Sequence, residues 1–212
     1  MNVPEYGDIR QDADHRAAVP ADEEERMNGS SILSGGLSVW LVVLLACAAI
    51  FFYINTGDKD RLARAVRCGC YDRVRISKGQ WWRLVTVGFT HIRPWHAAMN
   101  LYALYNLRFL EDLYGHVWFA VILLGSVAGG SLLEYKVSKI RYSVGLSGGL
   151  YGLMFSLFLI MIRIRSASGI RSIFTTLILN LAINFMPGIA WQAHIGGAVT
   201  GMALTGLFLA LR

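Results

Sequence analysis

The chain has 212 residues, of which 55% are hydrophobic and 16% are charged. Soluble domains usually carry a larger charged share, about a quarter of their residues, and here the apolar residues occur in long runs. Runs of about 17–20 apolar residues are long enough to cross a bilayer core as helices. We therefore predict one all-α polytopic membrane protein. Its net charge of +6 is explained by basic residues flanking membrane helices and does not indicate nucleic-acid binding.

The first residues differ in composition from the rest of the chain. Residues 1–31 are polar and include the acidic cluster from Asp22 to Glu25. Such a segment cannot bury enough apolar surface to offset the entropy lost on ordering, so we predict a disordered tail. The first apolar run begins near Leu33, behind this tail, and is not typical of a cleavable signal peptide. Residues 32–212 are predicted to form the membrane domain.

Six apolar segments are predicted to span the membrane as one helical bundle. They cover residues 37–54, 96–110, 117–133, 145–162, 172–186 and 191–211. The connection between the first two, residues 55–95, is long and basic and contains Trp81-Trp82-Arg83. Tryptophan and arginine beside apolar residues are typical of amphipathic elements in the head-group layer. We predict a structured first loop that lies in the membrane interface.

Polar side chains inside the predicted spans are the candidate functional residues, because burying them in hydrocarbon is costly. They are His96 and Asn100 in the second span, Ser147 and Tyr151 in the fourth, and His194 in the sixth. All five lie near the N-terminal ends of their spans. These three spans run in the same direction, so their N-terminal ends meet at one face of the bundle. The topology is therefore expected to bring the five side chains together.

Glycines in two of these spans predict unusually close helix packing. The fourth span carries Gly145, Gly148, Gly149 and Gly152, and the sixth carries Gly196, Gly197 and Gly201. Small residues at such spacing let two helix backbones approach closely. A short serine side chain reaches a histidine on a neighbouring helix only when the helices pack that tightly. The glycines and the polar residues thus predict the same arrangement.

Ser147 and His194 form a candidate nucleophile and base. A serine hydroxyl is a weak nucleophile until a base within hydrogen-bond reach takes its proton. Acyl transfer also needs donors aimed at the developing oxyanion, and the side chains of Asn100 and His96 and the backbone N–H of Ser147 are candidates. No Asp or Glu lies near His194 in the sequence. We therefore predict a dyad rather than a triad, with Tyr151 packing on the imidazole.

Each of these signals also has an ordinary structural explanation. A serine in a membrane helix usually bonds to its own helix, an intramembrane asparagine often links two helices, and closely spaced glycines are a packing motif. The convergence of all of them on one face favours a catalytic site.

Taken as a set, the motifs resemble those of the rhomboid family. The segment Gly145-Leu146-Ser147-Gly148 resembles the family's GxSG motif, with Tyr151 after it, and residues His96 to Asn100 resemble its HxxxN motif, with His91 upstream. Residues Ala193 to Gly197 resemble the histidine segment of the last core helix. The pair Trp82-Arg83 resembles the Trp-Arg pair of the first loop. The order and spacing of these motifs match over about residues 70–212.

This resemblance implies an intramembrane serine endopeptidase with a six-transmembrane-helix bundle and an interfacial first loop. It implies no metal and no cofactor, and it implies single-span membrane proteins as substrates, cut near the outer membrane face. The roles it implies are the dyad for Ser147 and His194, oxyanion stabilisation for His96 and Asn100, and support of the site for Tyr151, Gly145 and Gly148. The expected location is the plasma membrane, as a multi-pass protein.

The orientation in the membrane involves a conflict. The family places the N-terminus in the cytoplasm, which puts the basic residues 55–95 outside, whereas the positive-inside rule favours the reverse. We follow the family, because a long loop folded into the interface weakens that rule.

Two other functions stay open. A catalytically inactive rhomboid-like protein that binds membrane helices would share the fold, and an activity assay separates it from a protease. A transporter or channel would show polar residues through the bilayer depth or inverted repeats. Asn180 and Asn184 in the fifth span are the best sequence indications of such a polar path.

Overall fold

The computed structural model describes residues 37–57, 60–183 and 189–211, which are largely helical. The helices are α1 (Val39–Asn55), α2 (Arg61–Arg67), α3 (Arg73–Ser77), α4 (Arg83–Thr86), α5 (Pro94–Asn106), α6 (Phe109–Tyr114), α7 (His116–Val137), α8 (Ser147–Arg163), α9 (Ala167–Ile183) and α10 (Trp191–Ala210). Two short strands, β1 (Tyr71–Asp72) and β2 (Tyr142–Ser143), and a 3-10 helix over Val87–Phe89 lie between them. The predicted tail, residues 1–31, falls outside the described residues.

Six of the helices coincide with the predicted spans, namely α1, α5, α7, α8, α9 and α10. The largest difference in a described bound is five residues, because α9 begins at Ala167 rather than at residue 172. The second span was predicted to reach residue 110, whereas α5 ends at Asn106 and a separate helix α6 follows. Residues 184–186, the end of the fifth predicted span, are outside the described part of the chain. Among the described helices, α7 and α10 alone are both long and apolar enough to cross a membrane, while α1 and α8 are apolar but shorter. The count of six spans therefore stays a prediction.

The separate helix α6 carries a carboxylate that caps α1. Glu111 accepts hydrogen bonds from the backbone N–H groups of Val39 at 2.7 Å and Trp40 at 2.8 Å. The first N–H groups of a helix lack partners within it, and negative charge at that end is favourable. Glu111 also bonds the Nδ1 of His116 at the start of α7. One buried carboxylate thus joins the start of α1 to the start of α7.

The first loop is structured, as predicted, and a buried arginine stabilises it. The guanidinium of Arg83 donates hydrogen bonds to the carbonyl oxygens of Val66 and Cys70, both at 2.9 Å. It also lies 4.5 Å from the centre of the Trp82 ring. These contacts join α2 and the segment before β1 to α4. The position of the loop in the membrane interface stays a prediction.

The loop is also joined to the segment that precedes the candidate serine. Strands β1 and β2 pair antiparallel, with Tyr71 opposite Ser143 and Asp72 opposite Tyr142. The hydroxyl of Ser143 donates a 2.9 Å hydrogen bond to the carboxylate of Glu134 on α7. The third span was predicted to end at residue 133, whereas α7 continues to Val137.

Two further contacts hold the residues immediately before α8. The backbone N–H of Gly145 donates to the carbonyl oxygen of Val87 at 3.2 Å, and that of Leu146 donates to Nε2 of His91 at 3.4 Å. Burial and the neighbouring His96 lower the pKa of His91 to about 4. The ring is therefore neutral near pH 7, and its Nε2 is able to accept this bond.

The centre of the fold is formed by α7, α8 and α10, whose glycines bring the backbones together. A Cβ added at Gly197 would lie 2.7 Å from the carbonyl carbon of Gly148, and one at Gly201 would lie 2.7 Å from that of Gly152. Real side chains do not tolerate such distances. The close packing of the fourth and sixth predicted spans is therefore confirmed.

We expect Gly201→Ala to lower the free energy of unfolding by about 1–3 kcal/mol, the usual cost of overpacking a tight core. The matched control is Gly206→Ala on the same helix, where an added methyl group meets nothing within 4 Å. Helix propensity alone predicts that this control is unchanged or more stable by about 1 kcal/mol. Denaturation of the purified variants in mixed detergent micelles measures both, and equal losses in the two variants would contradict the packing explanation.

Candidate active site

Ser147 and His194, predicted from two separate spans, lie within hydrogen-bond distance of each other. Ser147 is the first residue of α8, and His194 is on the first turn of α10. The Ser147 Oγ and the His194 Nε2 are 2.9 Å apart. The imidazole is buried, with 6% of its residue surface exposed. The pair therefore has the geometry of a nucleophile next to a base.

Backbone contact between the two helices produces this distance. A Cβ at Gly148, the residue after Ser147, would lie 3.2 Å from the carbonyl oxygen of Ala193, the residue before His194. Any larger side chain at position 148 would push α8 away from α10. Such a shift would lengthen the contact between the Ser147 hydroxyl and the imidazole of His194. This is the physical reason for a glycine directly after the serine.

Tyr151 packs flat on the imidazole of His194, as predicted. The two ring centres are 4.2 Å apart and the ring planes differ by 7°. The hydroxyl of Tyr151 donates a 2.8 Å hydrogen bond to the carbonyl oxygen of Asn180 on α9. The tyrosine thus restricts the orientation of the histidine ring and joins the end of α9 to the site.

His96 lies against the backbone just before Ser147. Gly145 has a φ of 125°, and a Cβ there would lie 2.6 Å from the Cε1 of His96. Both the backbone conformation and the neighbouring ring therefore require glycine. The His96 ring also contacts the rings of His91 and Trp95, with centres 5.4 and 5.6 Å away. Gly145 thus allows the imidazole of His96 to approach the chain two residues from the serine.

Asn100 lies one turn further along α5 and is buried. Its Nδ2 donates a 2.8 Å hydrogen bond to the carbonyl oxygen of His96. Asn100 and His96 line the same cavity as Ser147, Tyr151 and His194. The structure therefore brings together all five polar residues that the sequence analysis selected. The oxyanion role of His96 and Asn100 stays a prediction.

The start of α8 adds backbone donors to the site. The first N–H groups of a helix have no acceptor within the helix, and the positive end of the helix dipole lies there. Ser147 opens α8, with Leu146 as the residue that precedes the first turn. This end of the helix is therefore suited to stabilise negative charge that develops next to the serine.

The site is one end of a large cavity of about 1170 Å³. Residues of α5 form one wall, residues of α9 form the other, and α8 lines the cavity from Ser147 as far as Met161. Most of the lining side chains are apolar. Within the described ranges, no cluster of three or more His, Cys, Asp or Glu side chains is arranged to hold a metal ion.

Sequence reasoning missed the residues that hold the site from outside the spans. The Glu134–Ser143 bond and the β1–β2 pair fix the segment before Ser147. A glutamate at the end of an apolar run indicates that its carboxylate needs a partner, but it does not identify Ser143 as that partner. The strand pair has only two residues on each side, too short for a sequence pattern to reveal. Asn184, which the sequence suggested as part of a polar path, lies outside the described residues.

Known proteins are similar to this chain over much more of its length than these motifs cover. Residues 78–211 match the Rhomboid domain. The chain is 28% identical over 187 residues to "Rhomboid protease GluP" of Bacillus subtilis, covering 84% of this chain and 36% of that protein. It is 32% identical over 146 residues to "RHOMBOID-like protein 6, mitochondrial" of Arabidopsis thaliana, covering 65% of this chain and 47% of that protein.

A third relative is closer in length. The chain is 29% identical over 141 residues to "Putative rhomboid protease YdcA" of Bacillus subtilis, covering 61% of this chain and 68% of that protein. It spans less than half of the length of the first two relatives. Since the Rhomboid domain match covers well over half of the sequence and includes every residue of the serine and histidine motifs, the chain belongs to the rhomboid family of integral membrane proteins.

Proposed function

We propose that this protein is an intramembrane serine endopeptidase that cleaves transmembrane helices of single-span membrane proteins. The observation that carries the proposal is the 2.9 Å distance between Ser147 Oγ and His194 Nε2 in a buried site. Two of the relatives described above are named as proteases. The cavity that extends from the dyad between two walls of helices supports a substrate that is itself a helix.

In the proposed reaction, the Nε2 of His194 takes the proton of the Ser147 hydroxyl while the Oγ of Ser147 attacks the carbonyl carbon of the peptide bond. The tetrahedral intermediate collapses as His194 gives the proton to the leaving amine, which leaves an acyl group on Ser147. A water molecule, deprotonated by His194, then attacks this ester and releases the carboxylic acid, and the proton returns to Ser147.

The oxyanion of the intermediate is assigned to donors around the start of α8. They are the backbone N–H groups of the first turn and the side chains of His96 and Asn100, which share the cavity with the dyad. Donors fixed before the reaction stabilise charge best where water is excluded. Tyr151, Gly145 and Gly148 are positioning residues, because each acts through a histidine ring or a helix contact.

The proposal includes a place in the cell. Residues 32–212 are assigned to a domain with six spans in the plasma membrane, with a cytoplasmic N-terminus and the dyad near the outer face. The reaction as written needs no metal and no cofactor.

We expect Ser147→Ala and His194→Ala each to lower the cleavage rate of a transmembrane substrate by at least about a thousandfold, because the nucleophile and its base act as a unit. A fluorophosphonate probe should label the wild type and fail to label Ser147→Ala, while circular dichroism shows an intact fold. Ser77→Ala, at an exposed serine outside the site, is the control. Cleavage by Ser147→Ala would overturn the assignment, whereas a wild type that neither reacts nor cleaves favours an inactive helix-binding protein.

We expect Asn100→Ala and His96→Ala to lower kcat more than they raise KM. Oxyanion donors act mainly on the transition state, and one strong donor contributes about 100- to 1000-fold to kcat. The matched control is Asn55→Ala on α1, since Asn55 also donates its side-chain amide to a carbonyl four residues earlier, that of Phe51 at 3.0 Å. Steady-state kinetics separate the two constants. A change in KM alone would make His96 and Asn100 binding or packing residues.

The substrate sequence near the cut should also matter. A helix in lipid hides its peptide bonds in internal hydrogen bonds, so it must unwind to be cut, which is easier where Gly or Pro weakens it. The glycine contacts beside Ser147 leave little room, so the residue before the cut should be small. In a series of one substrate, replacing helix-breaking residues by Leu should slow cleavage, and Phe or Trp before the cut should block it. Equal cleavage of a Leu-rich helix with a bulky residue there would refute this preference.

A further inference from the structure

Three polar side chains of α9 face the cavity that contains the dyad. Ser172, Thr176 and Asn180 are spaced four residues apart, so they lie on one face of the helix, and all three line the cavity. Ser172 and Thr176 are exposed, and Asn180 is partly exposed. We call these three residues the α9 stripe. The mechanism described above gives them no role.

The α9 stripe offers both hydrogen-bond acceptors and hydrogen-bond donors. The hydroxyl of Thr176 donates to the carbonyl oxygen of Ser172 at 3.1 Å, and the Nδ2 of Asn180 donates to the carbonyl oxygen of Thr176 at 2.8 Å. These bonds use the hydroxyl hydrogen of Thr176 and one of the two amide hydrogens of Asn180, while the side-chain oxygens of both residues keep lone pairs. Polar atoms facing hydrocarbon are unfavourable, and bonds between helices compensate for them.

The position of the α9 stripe relative to the dyad identifies what covers it. Asn180 lies at the level of the catalytic residues, because its carbonyl oxygen accepts the bond from Tyr151. Ser172 lies eight residues earlier, which is about 12 Å along the helix axis. The cavity continues beside α8 from Ser147 to Met161, a helix length of about 21 Å. This matches the part of a substrate helix that lies deeper in the membrane than the cut.

We propose that the α9 stripe binds the transmembrane helix of the substrate through hydroxyl or amide side chains spaced four residues apart, and so selects among substrates. The occupant is a helix because backbone groups inside a membrane must satisfy their own hydrogen bonds. Its donors are Ser, Thr, Asn or Gln side chains, the partners that complement acceptor atoms on α9. The inference rests on the proposed protease function, since it concerns the substrate of the same site.

The test uses three substrates with an identical cleavage segment. The first substrate has a Leu-rich helix beyond the cut. The second carries, in the same helix, a pair of Ser residues four apart on the face toward α9, and this position is found by scanning the pair along the helix. The third carries the same pair shifted by two residues, which places it on the opposite face. The second and third have the same composition, so any general weakening of the helix by Ser is equal in both.

The enzyme variants are Thr176→Val, which removes the hydroxyl and keeps the shape, and Thr175→Val as the matched control. Thr175 makes the same kind of bond, to the carbonyl oxygen of Arg171 at 2.9 Å, and is outside the set of residues that line the cavity. We expect the wild type and Thr175→Val to cleave the second substrate with about three- to tenfold higher kcat/KM than the third, the size of one hydrogen bond between membrane helices. Thr176→Val should lose this preference and cleave the second and third substrates at equal rates.

Binding of the same helices to Ser147→Ala, measured by fluorescence energy transfer in lipid vesicles, gives a readout without cleavage. Here too the second substrate should bind more tightly than the third, and Thr176→Val in this background should abolish the difference. The role of the α9 stripe would be overturned if the wild type cleaved and bound the second and third substrates equally well, or if Thr176→Val and Thr175→Val changed the preference between them equally. Either result would leave the protease assignment intact. Failure of the wild type to cleave any substrate would count against the proposed function, while the binding series still decides the stripe.

Discussion

The contact between the backbones of α8 and α10 is the constraint on which the site depends. Helices packed through ordinary side chains lie about 8–10 Å apart, whereas glycines let α8 and α10 approach backbone to backbone. Gly148 and Gly197 remove the side chains at the contact, so a Cβ on the second would collide with the backbone of the first. The distance of 2.9 Å between Ser147 and His194 follows from this packing.

Close packing fixes the distance between the two helices, whereas contacts outside the spans fix where α8 begins. The segment before Ser147 is bonded to β1, to Glu134, to Val87 and to the neutral ring of His91. Arg83 in turn stabilises the first loop that supplies some of these contacts. Polar groups at the rim of the bundle therefore determine the position of a nucleophile that lies inside it, since a helix start is set by the chain leading into it.

The cavity combines a polar end with a long apolar part. Buried imidazole rings and helix-start N–H groups gather near Ser147, where a low dielectric strengthens their interaction with developing charge. The remaining lining is mostly apolar and is interrupted on α9 by Ser172, Thr176 and Asn180. The Rhomboid domain match begins at residue 78, so α1 precedes it, and the carboxylate of Glu111 joins α1 to the matched part.

The sequence by itself determined the helical class, the approximate position of each long helix and the five polar residues of the site. These followed from apolar runs, from the direction of alternate spans and from glycine spacing, which are local or topological properties. Tertiary structure alone decided the break between α5 and α6, the β1–β2 pair and the bonds made by Arg83, His91 and Glu134. The strand pair and the side-chain bonds depend on a few hydrogen bonds between different elements, and no periodic pattern in the sequence encodes which partner a buried polar group will find.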